Sequence, residues 1–230
     1  MLRWLRLALI VAVARPVAQF FAGTDVIGRE RLPVTGPAII AANHNSHVDT
    51  LLMLTIFKAR AVHLVRPAAA SDYFLKDPVI GWFSRNLIGI VPVARRKAGA
   101  RNENGGEDVL APARQALSEG AIVVVFPEGT RGDASDTMAQ LKNGVARLAE
   151  AFPQAPVIPV WIQGAGRVLP KGQYIPVPMT CCVLVGEAIH WEGRRTAFMD
   201  SLREGLLALK AQAPPLRWSE DDEPEPPSEG

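Results

Sequence analysis

The chain has 230 residues, which is enough for a single domain with a substantial core. Its 48% hydrophobic and 21% charged content is typical of a globular protein. The net charge of +2 is unevenly distributed, because residues 218–230 hold six acidic and no basic side chains. The preceding residues hold 25 basic and 17 acidic side chains, which is a net charge of +8. A basic body favours anionic lipids or phosphates. With 7% aromatic residues and no recognisable nucleic-acid module, we expect no nucleic-acid partner.

Residues 1–22 form a basic and apolar N-terminal segment. Its uncharged apolar stretch runs only from residue 7 to 14, shorter than the roughly 20 residues that span a bilayer, and Arg15-Pro16 interrupts it. We predict a pair of short helices in the membrane interface, anchored by Trp4, Phe20 and Phe21. An ordinary helix packed on the body and a signal peptide are the two alternatives.

After this segment, predicted strands alternate with predicted helices. The strands are expected at 38–42, 61–65, 88–93, 121–126, 157–162 and 180–185, and the helices at 51–57, 77–86, 107–118, 141–151 and 196–211. The alternation predicts a single α/β domain over residues 23–212, with a largely buried mixed β-sheet flanked by helices. Proline and acidic residues dominate residues 213–230, which predicts a disordered tail.

Cys181 and Cys182 are adjacent within an apolar run. Neighbouring side chains on a strand point to opposite faces, so the pair fits neither a disulfide framework nor a metal knuckle. We expect both to be buried core residues, as is compatible with a reducing cytosol.

The first polar motif of interest, Asn43-His-Asn-Ser-His-Val-Asp49, lies between a predicted buried strand and a predicted helix. There Asp49 can accept the proton on one imidazole nitrogen of His44 and leave the other as a base. Asn43 and Ser46 can brace the turn through hydrogen bonds to the backbone. The five-residue spacing alone is weak, since a structural histidine would show it too.

The same segment permits a different chemistry. His44, His47 and Asp49 are three potential metal ligands, and such a site would activate a water molecule for hydrolysis. The remaining histidines are isolated and no further His/Asp cluster completes the shell, so we predict that no metal is bound. A serine hydrolase is disfavoured as well, because no Gly-x-Ser-x-Gly motif occurs.

A second motif, Phe126-Pro-Glu-Gly-Thr-Arg131, begins at the end of the strand predicted at 121–126, a continuous apolar run. Its proline ends the strand, Gly129 allows close approach of a ligand, and Arg131 offers a planar fork suited to phosphate. The segment Gly89–Arg95 repeats the pattern of a strand with an arginine at its end. A base together with an anion receptor is what transfer of a group onto a phosphate-bearing alcohol requires.

These motifs resemble the conserved blocks of the glycerolipid acyltransferases, typified by 1-acyl-glycerol-3-phosphate acyltransferase. Four segments appear in the order and spacing of that family, at residues 43–49, 89–95, 126–131 and 157–160, and the resemblance covers roughly residues 28–189. Two departures bear on the identity of the acceptor. Arg66-Pro-Ala-Ala-Ala70 stands where many members carry a lysine-glutamate pair, and Ala94 stands where an aspartate is common.

The resemblance implies roles for the residues that match the blocks. His44 is the base that deprotonates the acceptor hydroxyl, which attacks the acyl thioester, and Asp49 orients it, with Asn43 and Ser46 in support. The residues implied in binding the glycerol phosphate are Arg95 and Arg131, with Glu128, Gly129 and Thr130 shaping the loop.

The implied reaction moves a fatty acyl group from acyl-CoA or acyl carrier protein to the free hydroxyl of a lysophospholipid. The first choice of acceptor is 1-acyl-glycerol-3-phosphate, which would give phosphatidic acid; a lyso-ornithine lipid or a phospholipid-remodelling acceptor is the alternative. The resemblance implies no cofactor besides the acyl-thioester substrate. It places the protein against a membrane surface, at the cytoplasmic face of the inner membrane.

Overall fold

The structure is a computed structural model that describes residues 2–46, 48–70, 81–82, 84–93, 108–130, 132, 137–169 and 176–215.

The N-terminal segment is helical from Leu2 to Ala22. Helix α1 (Leu2–Leu9) leads through a π-helical turn (Ile10–Ala14) directly into helix α2 (Arg15–Ala22). The interruption expected at Arg15-Pro16 therefore does not separate two helices. Pro16 has no N–H to donate within this continuous helix, and it directly follows the π-helical turn, a distortion that accommodates the proline.

Within the described residues, seven strands form one mixed sheet in the order β1-β7-β6-β2-β5-β3-β4. The pairs β1/β7, β6/β2, β2/β5, β5/β3 and β3/β4 are parallel, and β6/β7 is antiparallel. This confirms the predicted mixed α/β sheet. The strands are β1 (Asp25–Ile27), β2 (Ala38–Ala42), β3 (Val65–Ala70), β4 (Val91–Val93), β5 (Ile122–Val125), β6 (Val157–Gln163) and β7 (Cys182–Val185).

Helices follow most of the strands. Those after β2 are α3 (Val48–Thr55) and α4 (Ala59–Val62), and the later ones are α5 (Ala111–Ser118), α6 (Gly144–Ala151), α7 (Ala165–Val168) and α8 (Arg195–Gln212). A 3₁₀ turn (Arg29–Arg31) and a second π-helical turn (Ser84–Ile88) complete the described elements.

The sheet is buried on both faces. Along β2, Ala38, Ile40 and Ala42 belong to one apolar cluster, while Ile39 and Ala41 belong to the cluster on the opposite face. This explains why the strand reads as a continuous apolar run without alternation. The two cysteines behave as predicted: both are buried, Cys181 in the first cluster and Cys182 in the second.

Two predicted strands are misplaced. The apolar run at 61–65 is helical up to Val62, and the strand begins at Val65 and continues to residue 70. A short apolar run has no periodicity that separates a helix from a strand, and pairing with β5 decides where the strand lies. The strand expected at 88–93 begins only at Val91, because a π-helical turn ends at Ile88 and Gly89 adopts a positive φ of 77°.

Other boundaries differ by a few residues. The helices predicted from residues 107 and 141 begin at Ala111 and Gly144, and β7 begins at Cys182 rather than at residue 180. The short elements β1 and α7 were not predicted. Of the helix expected at 77–86, residues 77–80 and 83 lie outside the described residues, and residues 84–86 belong to the second π-helical turn. Residues 216–230 of the predicted tail are also outside the described residues.

The parallel pairing positions the polar motifs. Ala41 of β2 is in register with Val125 of β5 and with Pro159 of β6, so the three strands point the same way side by side. The motif at 43–49 follows β2 and the motif at 126–131 follows β5. Both therefore start at the carboxyl edge of the sheet, where ligands of open α/β sheets bind.

Candidate active site

Asp49 organises the loop that follows β2. It lies in the first turn of α3 and is completely buried. One of its oxygens, Oδ2, accepts three hydrogen bonds: from the backbone N–H of Asn45 at 2.6 Å, from that of Ser46 at 2.8 Å, and from Nδ1 of His44 at 3.0 Å. The carboxylate thus fixes the loop backbone and the imidazole together.

The contact with Asp49 determines what His44 can do. A carboxylate accepts, so Nδ1 carries the proton and Nε2 is the nitrogen left to act as a base. The His44 ring stacks on the ring of Phe126, with centroids 4.2 Å apart and planes inclined by 24°. Its side chain is 18% exposed, against 0% for Asp49, so the imidazole reaches the surface while its partner does not.

Asn43 and Ser46 were expected to brace the turn through hydrogen bonds to the backbone, and their contacts with Ile162 and Leu169 run to distant backbone, in β6 and at the end of α7. Asn43 makes a two-point contact with Ile162 of β6: its Nδ2 donates to the Ile162 carbonyl at 2.9 Å and its Oδ1 accepts from the Ile162 N–H at 2.6 Å. Ser46 Oγ donates to the carbonyl of Leu169 at 3.0 Å. Both contacts support the loop rather than reaching a ligand.

Glu128 joins the two motifs. It is 2% exposed; Oε1 accepts from the backbone N–H of His44 at 3.1 Å and Oε2 from that of Ala139 at 3.0 Å. Burial raises the pKa of this carboxyl above its ordinary value, although the two backbone hydrogen bonds oppose the shift. The N–H of Gly132, the residue after the second motif, donates to the His44 carbonyl at 2.7 Å, so this segment holds both backbone polar groups of His44. This geometry favours a positioning role for Glu128, which the sequence grouped with the substrate-binding residues.

Gly129 and Thr130 form the turn beyond Glu128. Gly129 has a positive φ of 67°, and Lys142 lies across it. Glu128, Thr130 and Lys142 line a cavity of about 490 Å³ that is open to the surface, together with Ala139, Gln140, Leu141 and Asn143. None of the sequence motifs contains Lys142, which lies beyond residues 126–131 at the start of a predicted helix.

Several predicted residues lie outside the described part of the chain. These are Arg95 and Arg131, expected to bind phosphate, and His47, a potential metal ligand. Among the described residues, no group of three or more His, Cys, Asp or Glu side chains is placed to hold a metal ion. The site that the structure does describe is a histidine-carboxylate pair, stacked on an aromatic ring and fixed to a turn beside a cavity.

Comparison with known proteins decides the family. The sequence model of the Acyltransferase family matches residues 23–163, which include β1 to β6 and both motifs. The chain belongs to this family. The His44–Asp49 pair and the Glu128 turn therefore lie in the part that this acyltransferase shares with its relatives.

Curated relatives carry the name 1-acyl-sn-glycerol-3-phosphate acyltransferase. The one from Chlamydomonas reinhardtii is 31% identical over 194 residues, covering 82% of this chain and 53% of the relative. The chloroplastic BAT2 enzyme of Brassica napus is 29% identical over 153 residues, covering 66% of this chain and 40% of the relative. The chain thus spans about half the length of these two proteins.

A solved structure shares the fold. The crystal structure of the 1-acyl-sn-glycerophosphate (LPA) acyltransferase PlsC from Thermotoga maritima superposes with a TM-score of 0.67 at 25% identity. The match covers 91% of this chain and 82% of that one. It supports an arrangement of helices around a mixed sheet over nearly the whole chain.

Proposed function

We propose that this acyltransferase moves a fatty acyl group from an acyl thioester to the free hydroxyl of a lysophospholipid, with 1-acyl-glycerol-3-phosphate as the acceptor. The observation that carries the proposal is the 3.0 Å hydrogen bond between His44 Nδ1 and the buried Asp49 carboxylate, at the carboxyl edge of the sheet. The names of the relatives and of the T. maritima structure support the acceptor.

The chemistry follows from the orientation of the imidazole. Nε2 of His44 takes the proton of the acceptor hydroxyl as its oxygen attacks the thioester carbonyl. The tetrahedral intermediate collapses, the carbon-sulfur bond breaks, and the thiolate leaves with the proton that the imidazolium returns. Asp49 stabilises the imidazolium in between without itself taking the proton.

Recognition of the acceptor needs a cationic receptor for its phosphate. The proposal assigns this role to Arg95 and Arg131 from the sequence motifs, with Gly129 and Thr130 forming the turn. The donor is acyl-CoA or acyl carrier protein, and the reaction as written uses no metal ion and no further cofactor.

The N-terminal helix supplies a surface for the membrane where such acceptors reside. Its exposed apolar side chains include Trp4 at 74% and Phe20 at 73%. By length and composition alone, the helix over residues 4–22 would suffice to cross a bilayer. It is nevertheless held to the body, since Arg6 and Arg15 donate to backbone carbonyls of the domain. We propose that it lies in the interface at the cytoplasmic face.

The decisive experiment combines an acceptor panel with one substitution. The purified protein is incubated with labelled acyl-CoA or acyl carrier protein and with lysophosphatidic acid, other lysophospholipids and a lyso-ornithine lipid. Transfer to lysophosphatidic acid is expected, with kcat lower by about 10²- to 10⁴-fold in His44→Ala, because the general base is lost. The fold should survive, since the side chain reaches the surface.

Three outcomes would contradict the proposal. Full activity of His44→Ala would remove His44 from the chemistry. Transfer only to another lysolipid would replace the acceptor and keep the reaction type. Hydrolysis that stops on chelation, without acyl transfer, would instead support the metal site at His44, His47 and Asp49.

A further inference from the structure

Lys142 is tied to the turn of the second motif although it lies more than ten residues beyond it. Its backbone N–H donates to the carbonyl of Pro127 at 2.8 Å. The segment that precedes α6 therefore runs back along the turn that begins with Glu128. This backbone contact fixes where the Lys142 side chain starts.

The side chain of Lys142 then crosses the turn at Gly129. A Cβ atom at position 129 would lie only 2.5 Å from Nζ of Lys142 and 2.9 Å from its Cδ and Cε. A side chain there would force the lysine to move, and the positive φ of Gly129 also favours glycine. The absence of a side chain lets the lysine stem lie flat on the turn, which places its ammonium beside the cavity described above.

The charges around this cavity make it suited to an anion. The Glu128 carboxylate is buried, and each of its oxygens is engaged by a backbone N–H. Within the part of the chain that the structure describes, Nζ of Lys142 forms no hydrogen bond or ion pair. Asn143, which precedes α6, also lines the cavity, so the amino end of that helix adds partial positive charge.

We propose that Lys142 binds a phosphate group of a substrate in this cavity, and that this group is the phosphomonoester of the acceptor. The inference rests on the proposed function and adds a residue that the sequence motifs do not contain. The phosphates of coenzyme A are the other source of the same chemistry. Glu128 places the site next to the reaction centre, because one of its oxygens holds His44 and the other holds Ala139 on the cavity side.

The test measures binding in a His44→Ala background, in which chemistry is blocked. Lysophosphatidic acid, the matched 1-acylglycerol without phosphate, and a non-hydrolysable acyl-CoA analogue are titrated in detergent micelles. Lys142→Met keeps the stem and removes the charge, and it should weaken binding of lysophosphatidic acid about 10- to 100-fold, as expected for losing one charged hydrogen bond. Binding of 1-acylglycerol should not change, and Lys142→Arg should retain most of the affinity.

Arg147→Met is the matched control, since it removes a cation from α6, which directly follows Lys142, and Arg147 does not line the cavity. This variant should bind like the parent protein. A loss confined to the acyl-CoA analogue would keep Lys142 as a phosphate ligand but move the phosphate to the donor. Unchanged affinity for both phosphate-bearing ligands would overturn the inference, and so would an equal loss for 1-acylglycerol. A wild-type protein that binds lysophosphatidic acid through Lys142 but transfers no acyl group would refute the proposed function alone.

Discussion

Two buried charged side chains lie in different regions of the molecule and have different roles. Asp49, 0% exposed, accepts three hydrogen bonds on one oxygen at the carboxyl edge of the sheet. Arg6, 3% exposed, donates to three backbone carbonyls on the N-terminal side of the domain: those of His63 at 3.2 Å, Val65 at 2.5 Å and Ile88 at 2.9 Å.

The difference lies in what each charge holds. Asp49 holds a side chain that can gain and lose a proton and whose ring reaches the surface. Arg6 holds only backbone, so it joins α1 to the body and orders no reactive group. Burial of a charge is therefore not enough to identify a reaction centre; a titratable and partly exposed partner is needed as well.

The substitution Asp49→Asn tests the catalytic side of this comparison and should have the largest effect. A neutral amide cannot stabilise the imidazolium, and its NH₂ group favours the wrong tautomer of His44. We expect kcat to fall by about 10²- to 10⁴-fold in the acyl-transfer assay. An Asp49→Asn protein with undiminished kcat would mean that the pair is structural, as Arg6 is.

Arg6→Met tests the architectural side. One buried and two partly buried hydrogen bonds to carbonyls are lost, so the free energy of unfolding should fall by about 2–5 kcal/mol. Urea titration measures this change. Arg6→Lys should lose less stability, because the lysine ammonium can still donate to some of the three carbonyls. Activity per folded molecule should stay near that of the wild type, and a kcat loss as large as that of Asp49→Asn would erase the distinction.

Glu128 lies between the two cases, since it is a buried charge that holds the backbone of the reactive residue. The pKa of Glu128 is raised in the folded state, so the protonated form of this side chain stabilises the fold. This contribution to the free energy of unfolding is complete at and below pH 4.5, the ordinary pKa, and is lost as the pH rises through the raised pKa. The free energy of unfolding of the wild type should therefore fall over this pH range relative to that of Glu128→Gln. Unfolding free energies that change in parallel with pH for the two proteins would contradict this.

The sequence alone determined the features that depend on neighbouring residues. The apolar run at 38–42 is a strand, and Cys181 and Cys182 lie on opposite faces, because side-chain direction in a strand alternates by residue. His44 pairs with Asp49 because one short loop carries both groups from a strand to a helix. The four sequence blocks indicated the family, which the family model confirms.

Only the tertiary structure decided the features that depend on distant segments. It replaced the strand predicted at 61–65 by a helix up to Val62, with the strand starting at Val65 where it pairs with β5. It joined Glu128 to the backbone of His44 and placed Lys142 on Gly129. It also buried Arg6, which in sequence looks like any basic residue near an N-terminus. Such contacts join residues from 13 to 84 positions apart, so no local pattern of residues encodes them.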